Sequence, residues 1–395
     1  MSFNCDIFCA VVDNYGDIGV CWRLAKNLSA EGLTVRLWVD DLASFGKLCP
    51  ELDVACEQQH CREIEVRRWS SHFHDALPAQ LVIEAFACEL PPSYVVAMAA
   101  QSEPPLWVNL EYLSAEDWVE GCHGLPSPHP TLPLTKHFFF PGFTPKTGGL
   151  LLERDLLARR DVFQCDPQTL ADYWQSLGLT APQPDELRIS LFGYENAAVG
   201  ELLQVWSASA TPITCLVPAG RILPHVAQFF GSDEGAAGQG WQRGNLCVAV
   251  LPFVEQERYD YLLWACDVNF VRGEDSCVRA QWAAKPFIWQ IYPQHDGVHL
   301  DKLQALAARY SAGLSPEAAG VLMQLWQSWN DEHGVALAWG RFAAQREELA
   351  RHAACWSKQL AGNNLALNLL DFCRNKGRMR AFEFSPLKPF QGQTK

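Results

Sequence analysis

FNCDIFCAVVDNYGDIGVCWRLAKNLSA, residues 3–30, is the stretch on which the fold turns. Residues 3–12 form a largely apolar, β-leaning run, with Asp6 inside it. DNYGDIG at 13–19 breaks that run, and from about Ile18 to Ala30 the apolar positions take a helical period. TVRLWV at 34–39 then reads as a second strand. Strand, helix and parallel strand in succession predict an α/β unit whose sheet is covered on both faces.

Working outward, further strands are expected at IEVRRW (64–69), QLVIEAFA (80–87), PLWVNLEY (105–112) and KHFFF (136–140). The pattern restarts after the Pro-rich APQPDE at 181–186. LRISLF (187–192), PITCLV (212–217), CVAVLPF (247–253), DVNFV (267–271) and KPFIWQ (285–290) are the strands of a second half. Trp107, Trp118 and Phe138 to Phe140 are assigned to the core. The expected architecture is two Rossmann-like domains facing a cleft, the plan of GT-B glycosyltransferases. Residues 1–184 and 185–361 are expected as its two domains, by analogy with that plan acceptor-side and nucleotide-sugar-binding, and a helix at about 362–375 is expected to return to the first.

With 395 residues, the chain is too long for one ordinary hydrophobic core. A net charge of −14 argues against sequence-independent nucleic-acid binding, which needs clustered Lys and Arg. No stretch reaches the roughly 20 apolar residues of a membrane span. The N-terminus lacks a basic n-region and reads as a strand rather than a signal peptide. The 15 cysteines are scattered and odd in number, which fits free thiols in a reducing cytoplasm. Cys56, His60 and Cys61 in CEQQHC lack a second ligand pair and read as a loop. His295, Asp296 and His299 read as a loop near the cleft, so no metal is expected.

Four groups of residues can carry chemistry. In the first turn, Asp13 and Asp17 stand where a dinucleotide-binding loop would hold phosphate. Like charges about 4 Å apart repel by roughly 1–4 kcal/mol in wet surroundings, so this loop suits a cation. Asp17 there is either a general base or an N-cap of the first helix. In the second half, Arg272, Gly273, Glu274, Asp275 and Ser276 join a strand to a helix. Asp275 or Ser276 is expected to cap that helix, leaving amides for a diphosphate, and Glu274 to point aside. Phe192, Tyr194 and Phe253 stand at strand ends, where a pyrimidine base can stack and Gln256 can bond its edge. Glu84, Asn109, Glu111 and Tyr112 lie at or near strand ends of the first half, as acceptor-side candidates.

The segments VVDNYGDIGVCWRLAKNL, VIEAFACELP, WVNLEYLSAEDWVEGCHGLPSPHP and VRGEDSCVRAQWAAKPFIWQIYPQHDGVHLDKL resemble the bacterial EarP family of protein-arginine rhamnosyltransferases. The resemblance runs over nearly the whole chain. It implies transfer from dTDP-β-L-rhamnose, with inversion, to an arginine of translation elongation factor P. It matches Asp13, Asp17 and Glu274 to the family's catalytic acids. It also puts Phe192, Tyr194, Phe253, Gln256, Asp275 and Ser276 on the donor, and Tyr15, Gly16, Arg272 and Gly273 are taken to the same side. Two other readings stay open on the residues alone: a glycosyltransferase with a small-molecule or lipid acceptor, and a non-catalytic nucleotide-binding module.

Overall fold

The computed structural model describes residues 3–12, 15–70, 73, 76–294 and 297–377. Asp13, His295 and Asp296 therefore lie outside the described residues, as does the chain beyond 377.

The first sheet holds β1 (Asn4–Cys9), β2 (Thr34–Val39), β3 (Gln58–Cys61), β4 (Ile64–Arg68), β5 (Leu81–Ala85), β6 (Leu106–Leu110), β7 (Pro126–Pro128) and β8 (Thr135–Phe139). Their order is β3-β4-β2-β1-β5-β6-β8-β7. The second sheet holds β9 (Leu187–Leu191), β10 (Ile213–Pro218), β11 (Gly240–Arg243), β12 (Leu246–Leu251), β13 (Val268–Arg272) and β14 (Phe287–Gln290), in the order β11-β12-β10-β9-β13-β14. β3, β7 and β11 pair antiparallel, and all other pairings are parallel. β5, β6, β9 and β13 are buried along their whole length, as strands covered on both faces must be. Strand order reverses between β1 and β5, and again between β9 and β13. Crevices open at such switch points, and they put the loops after β1, β9 and β13 at the cleft.

Asp6, fully buried in β1, is satisfied by Arg36 through two bonds of 2.6 Å and by the Ala79 amide at 3.1 Å. A charge in the core strand is thus paired rather than stranded. Leu365, Leu369, Leu370 and Cys373 of the Leu365–Asn375 helix lie in the core of the first sheet. Leu156, Phe163 and Trp174, from the two helices before β9, lie in the core of the second. Each such Leu or Phe side chain, fully buried, contributes on the order of 1.5–3 kcal/mol. Trp118 departs from its core assignment: it is 54% exposed, with one edge against Phe140. Among the described residues no helix is long and apolar enough to cross a membrane.

The two domains meet along the Gly16–Ala30 and Gly273–Trp282 helices. A Cβ on Gly19 would stand 3.3 Å from the Gln256 amide nitrogen and 3.5 Å from an Asp275 oxygen, so glycine permits the close approach.

Candidate active site

The first cavity of the cleft is lined by Tyr15, Gly16, Phe192, Tyr194, Phe253, Gln256, Arg272, Gly273, Glu274, Asp275 and Ser276, with Leu48, Pro218, Val254 and Tyr259. Every residue assigned to the donor side is among them. Gly273 opens its helix with φ +62°, a left-handed conformation that glycine adopts without strain. The helix cap falls on Arg272 and makes no side-chain bond, so neither Asp275 nor Ser276 is the cap expected from sequence. Both acids of the first turn leave the helix for the opposite domain instead. Glu274 accepts from the Leu113 amide at 2.9 Å, and Asp275 accepts from Arg23 Nε at 2.8 Å.

Two aromatic residues have a different employment from the one expected. The Arg272 guanidinium lies over both the Phe192 and Tyr194 rings, 4.6 Å from each centroid. Those ring faces hold a cation, while Phe253 and Tyr15, with centroids 5.0 Å apart, form a separate aromatic wall. Gln256 is likewise engaged: its amide donates to the Gly19 carbonyl at 2.8 Å and to Asp275 at 3.3 Å.

A second cavity adjoins the first and shares Gly16, Gly273 and Glu274 with it. Its other lining residues are Val12, Asp17, Val20, Phe86, Tyr112, Trp289, Ile291, Tyr292, Gln294, His299 and Lys302. Asp17 is 2% exposed and sits inside the first turn of its helix, whose cap is Tyr15, so it is not the N-cap. Its carboxylate accepts from the Val12 amide at 2.8 Å and from the Tyr112 phenol. Burial pushes the Tyr112 phenol up from its ordinary value, and the Asp17 and Glu274 carboxylates push it further. Tyr112 therefore stays protonated and donates. Phe86 stacks on Tyr112 at 4.4 Å, from a turn in which Phe86, Ala87 and Glu89 all have left-handed φ of 53–56°. Asn109 accepts from the Ala87 amide at 3.1 Å and so holds that turn.

The remaining acceptor-side candidates do not reach this cavity. Glu84 is 2% exposed and turned to Trp107 Nε1 at 3.0 Å and Lys136 Nζ at 3.1 Å. Asn109 donates to Glu111, whose carboxyl burial pushes up. Of the four, only Tyr112 lines the cavity. Tyr292, Gln294, His299 and Lys302 of YPQHDGVHLDKL also line it, and of these the sequence placed only His299 near the cleft.

Behind both cavities runs a buried seam of charge. Arg23, 1% exposed, pairs with Asp275, with Glu153 at 3.2 Å and with Asp260 at 3.4 Å. Arg279, also 1% exposed, pairs with Glu153 at 2.7 Å and Asp260 at 2.6 Å. The one group of candidate metal ligands among the described residues is Cys49, Glu51 and Cys61, none of which lines either cavity. CEQQHC is not a loop throughout: its last four residues form β3, and Cys56 bonds its own turn at Gln58.

The two cavities share one wall, at Gly16, Gly273 and Glu274. A family model described as Elongation-Factor P (EF-P) rhamnosyltransferase EarP matches residues 5–374. A protein-arginine rhamnosyltransferase of Pseudomonas putida is 51% identical over 377 residues, covering 95% of this chain and 100% of the relative. The Pseudomonas aeruginosa enzyme of the same name is 46% identical over 369 residues, covering 93% and 98%. A solved structure described as the structural basis for EarP-mediated arginine glycosylation of translation elongation factor EF-P matches with a TM-score of 0.67 and 37% identity. It covers 94% of this chain and 99% of that one. The chain, with its GT-B architecture, belongs to the EarP family of protein-arginine rhamnosyltransferases.

Proposed function

We propose that the protein transfers L-rhamnose from dTDP-β-L-rhamnose to an arginine side chain of elongation factor P, with inversion at the anomeric carbon. The observation that carries this reading is the pair of adjoining cavities with Gly16, Gly273 and Glu274 in their common wall. A sugar carbon held at that wall can be attacked from one side while its diphosphate leaves on the other.

The nucleotide belongs to the first cavity. Its base packs on Phe253 and Tyr15, and its diphosphate meets the uncapped amides of the Gly273–Trp282 helix, where the helix dipole favours an anion. Arg272 adds positive charge, and Ser276 a hydroxyl. The acceptor guanidinium belongs to the second cavity, against Asp17. An arginine nitrogen has no free lone pair while its guanidinium is fully protonated and delocalised. Asp17 accepts a proton as that nitrogen bonds to the anomeric carbon. The bond from that carbon to the diphosphate oxygen breaks, its electron pair going to dTDP. Tyr112 and the Val12 amide fix the carboxylate for this step. Glu274 sits in the common wall and serves the sugar and the guanidinium, and Asp13 supports the acidic loop. Positioning and charge stabilisation supply most of the acceleration, with no nucleophilic side chain.

Incubating the protein with elongation factor P and dTDP-rhamnose, then weighing the intact factor, tests the reading. A gain of one deoxyhexose is expected, and none with free arginine as the acceptor. An unmodified factor contradicts the reading. Because helix amides and Arg272 can carry the diphosphate charge, transfer is expected to survive EDTA. Loss of transfer restored by a divalent ion would show a metal requirement.

A further inference from the structure

Lys302 opens the second turn of the Val298–Ser311 helix and lines the second cavity. Its ammonium lies over the Tyr112 ring, 5.6 Å from the centroid. Phe86 is stacked nearly parallel on that ring, with 16° between the planes, and so covers one face. The cation takes the other. Long lysine side chains at a surface ordinarily carry their charge out to water. This one is drawn to an aromatic face in a cavity that also contains Asp17 and Glu274. Aromatic face and carboxylates together are the chemistry that binds a guanidinium.

We propose that Lys302 is a resident cation occupying the arginine subsite, and that the acceptor arginine binds by displacing its ammonium from the face of Tyr112. The inference rests on the second cavity being the acceptor side, as read above. A planar guanidinium stacks on the exposed Tyr112 face while reaching Asp17, whose carboxylate already accepts from the Tyr112 phenol. The lysine, on a flexible four-carbon stem, swings outward. The displaced contact is a cost that every acceptor meets. Being common to all acceptors, it cancels in the choice between them, so Lys302 sets acceptor affinity.

Removing the ammonium should then strengthen acceptor binding, which is the reverse of what damage to the pocket does. In Lys302→Met, the Kd of elongation factor P measured with dTDP present should fall by about 2- to 5-fold, the worth of one exposed cation–π contact. The acceptor KM should fall with it. Lys302→Arg restores a cation and should return both values to those of the unaltered protein. An unchanged or weakened affinity in Lys302→Met, with the unaltered protein active, overturns this inference alone. If the unaltered protein leaves the factor unmodified, the proposed function fails instead.

Discussion

The Gly16–Ala30 and Gly273–Trp282 helices both bring an N-terminal turn to the cleft, both carry carboxylates there, and neither has a side-chain cap. They differ in where the acids go. Asp17 stays with its own loop through the Val12 amide and faces the second cavity. Glu274 and Asp275 cross the domain boundary, to the Leu113 amide and to Arg23. A carboxylate left among bare amides would repel a diphosphate. Asp275 is neutralised in place by the Arg23 guanidinium, and Glu274 keeps its charge but is turned toward the Leu113 amide, so the helix amides remain usable. The first helix keeps its negative charge for a cation, while the second exports its charge and is suited to an anion. Residue types alike in sequence thus yield opposite sites through their partners.

The strongest way to break this contrast is Asp17→Asn, which keeps the shape and removes the basicity. Single-turnover transfer should fall by roughly 10²–10⁴. Arg23→Met attacks the link between the two helices by leaving Asp275, Asp260 and Glu153 short of a buried partner. Stability should drop by about 3–5 kcal/mol, read as an earlier urea midpoint. Phe253→Ala touches only the anion side. It removes a stacking face worth on the order of 1 kcal/mol, so donor Kd should rise several-fold with turnover at saturating donor retained. The mildest effect is confined to acid. Burial pushes the Glu153 carboxyl up, but Arg279 and Arg23 outweigh this and hold it below its usual 4.5. The folded protein therefore binds fewer protons there than the unfolded chain. That stability is complete above about pH 4.5 and is lost as pH falls toward the folded value. In an acid titration of thermal stability, Glu153→Gln should flatten that loss.

The anion side was legible in the sequence because its residues follow strand ends by a few positions, where a parallel sheet must open. Phe192, Phe253 and Arg272 to Ser276 stand out that way, whereas Tyr15 comes to this side only with the family resemblance, its loop reading by itself as a cation site. Their bonding was not legible: Arg23 looks like an ordinary helix residue until the two domains touch, and Gln256, picked for a base edge, bonds Gly19 and Asp275 instead. On the cation side, strand-end logic reached Tyr112 but misplaced Glu84, Asn109 and Glu111. Strand residues alternate between faces, and one sequence does not say which face opens on the cleft. Phe86 depends on a left-handed turn without glycine, for which the local sequence carries no signal. The buried parallel strands were plain from their apolar runs. The edge strands QQHC, PSP and GWQR are short, polar and antiparallel, and lack that pattern. Trp118 looked like core on hydrophobicity alone, although a lone exposed aromatic at a surface is ordinary.

The division between the two helix ends is tested most directly by titrating dTDP-rhamnose into Asp17→Asn by calorimetry, beside single-turnover transfer to elongation factor P with the same preparation. If the acidic turn serves the acceptor and the Gly273 turn serves the donor, donor Kd stays at its unaltered value while the rate collapses. Loss of donor binding, with the rate preserved at saturating donor, would contradict the account and make the DNYGD turn a donor site.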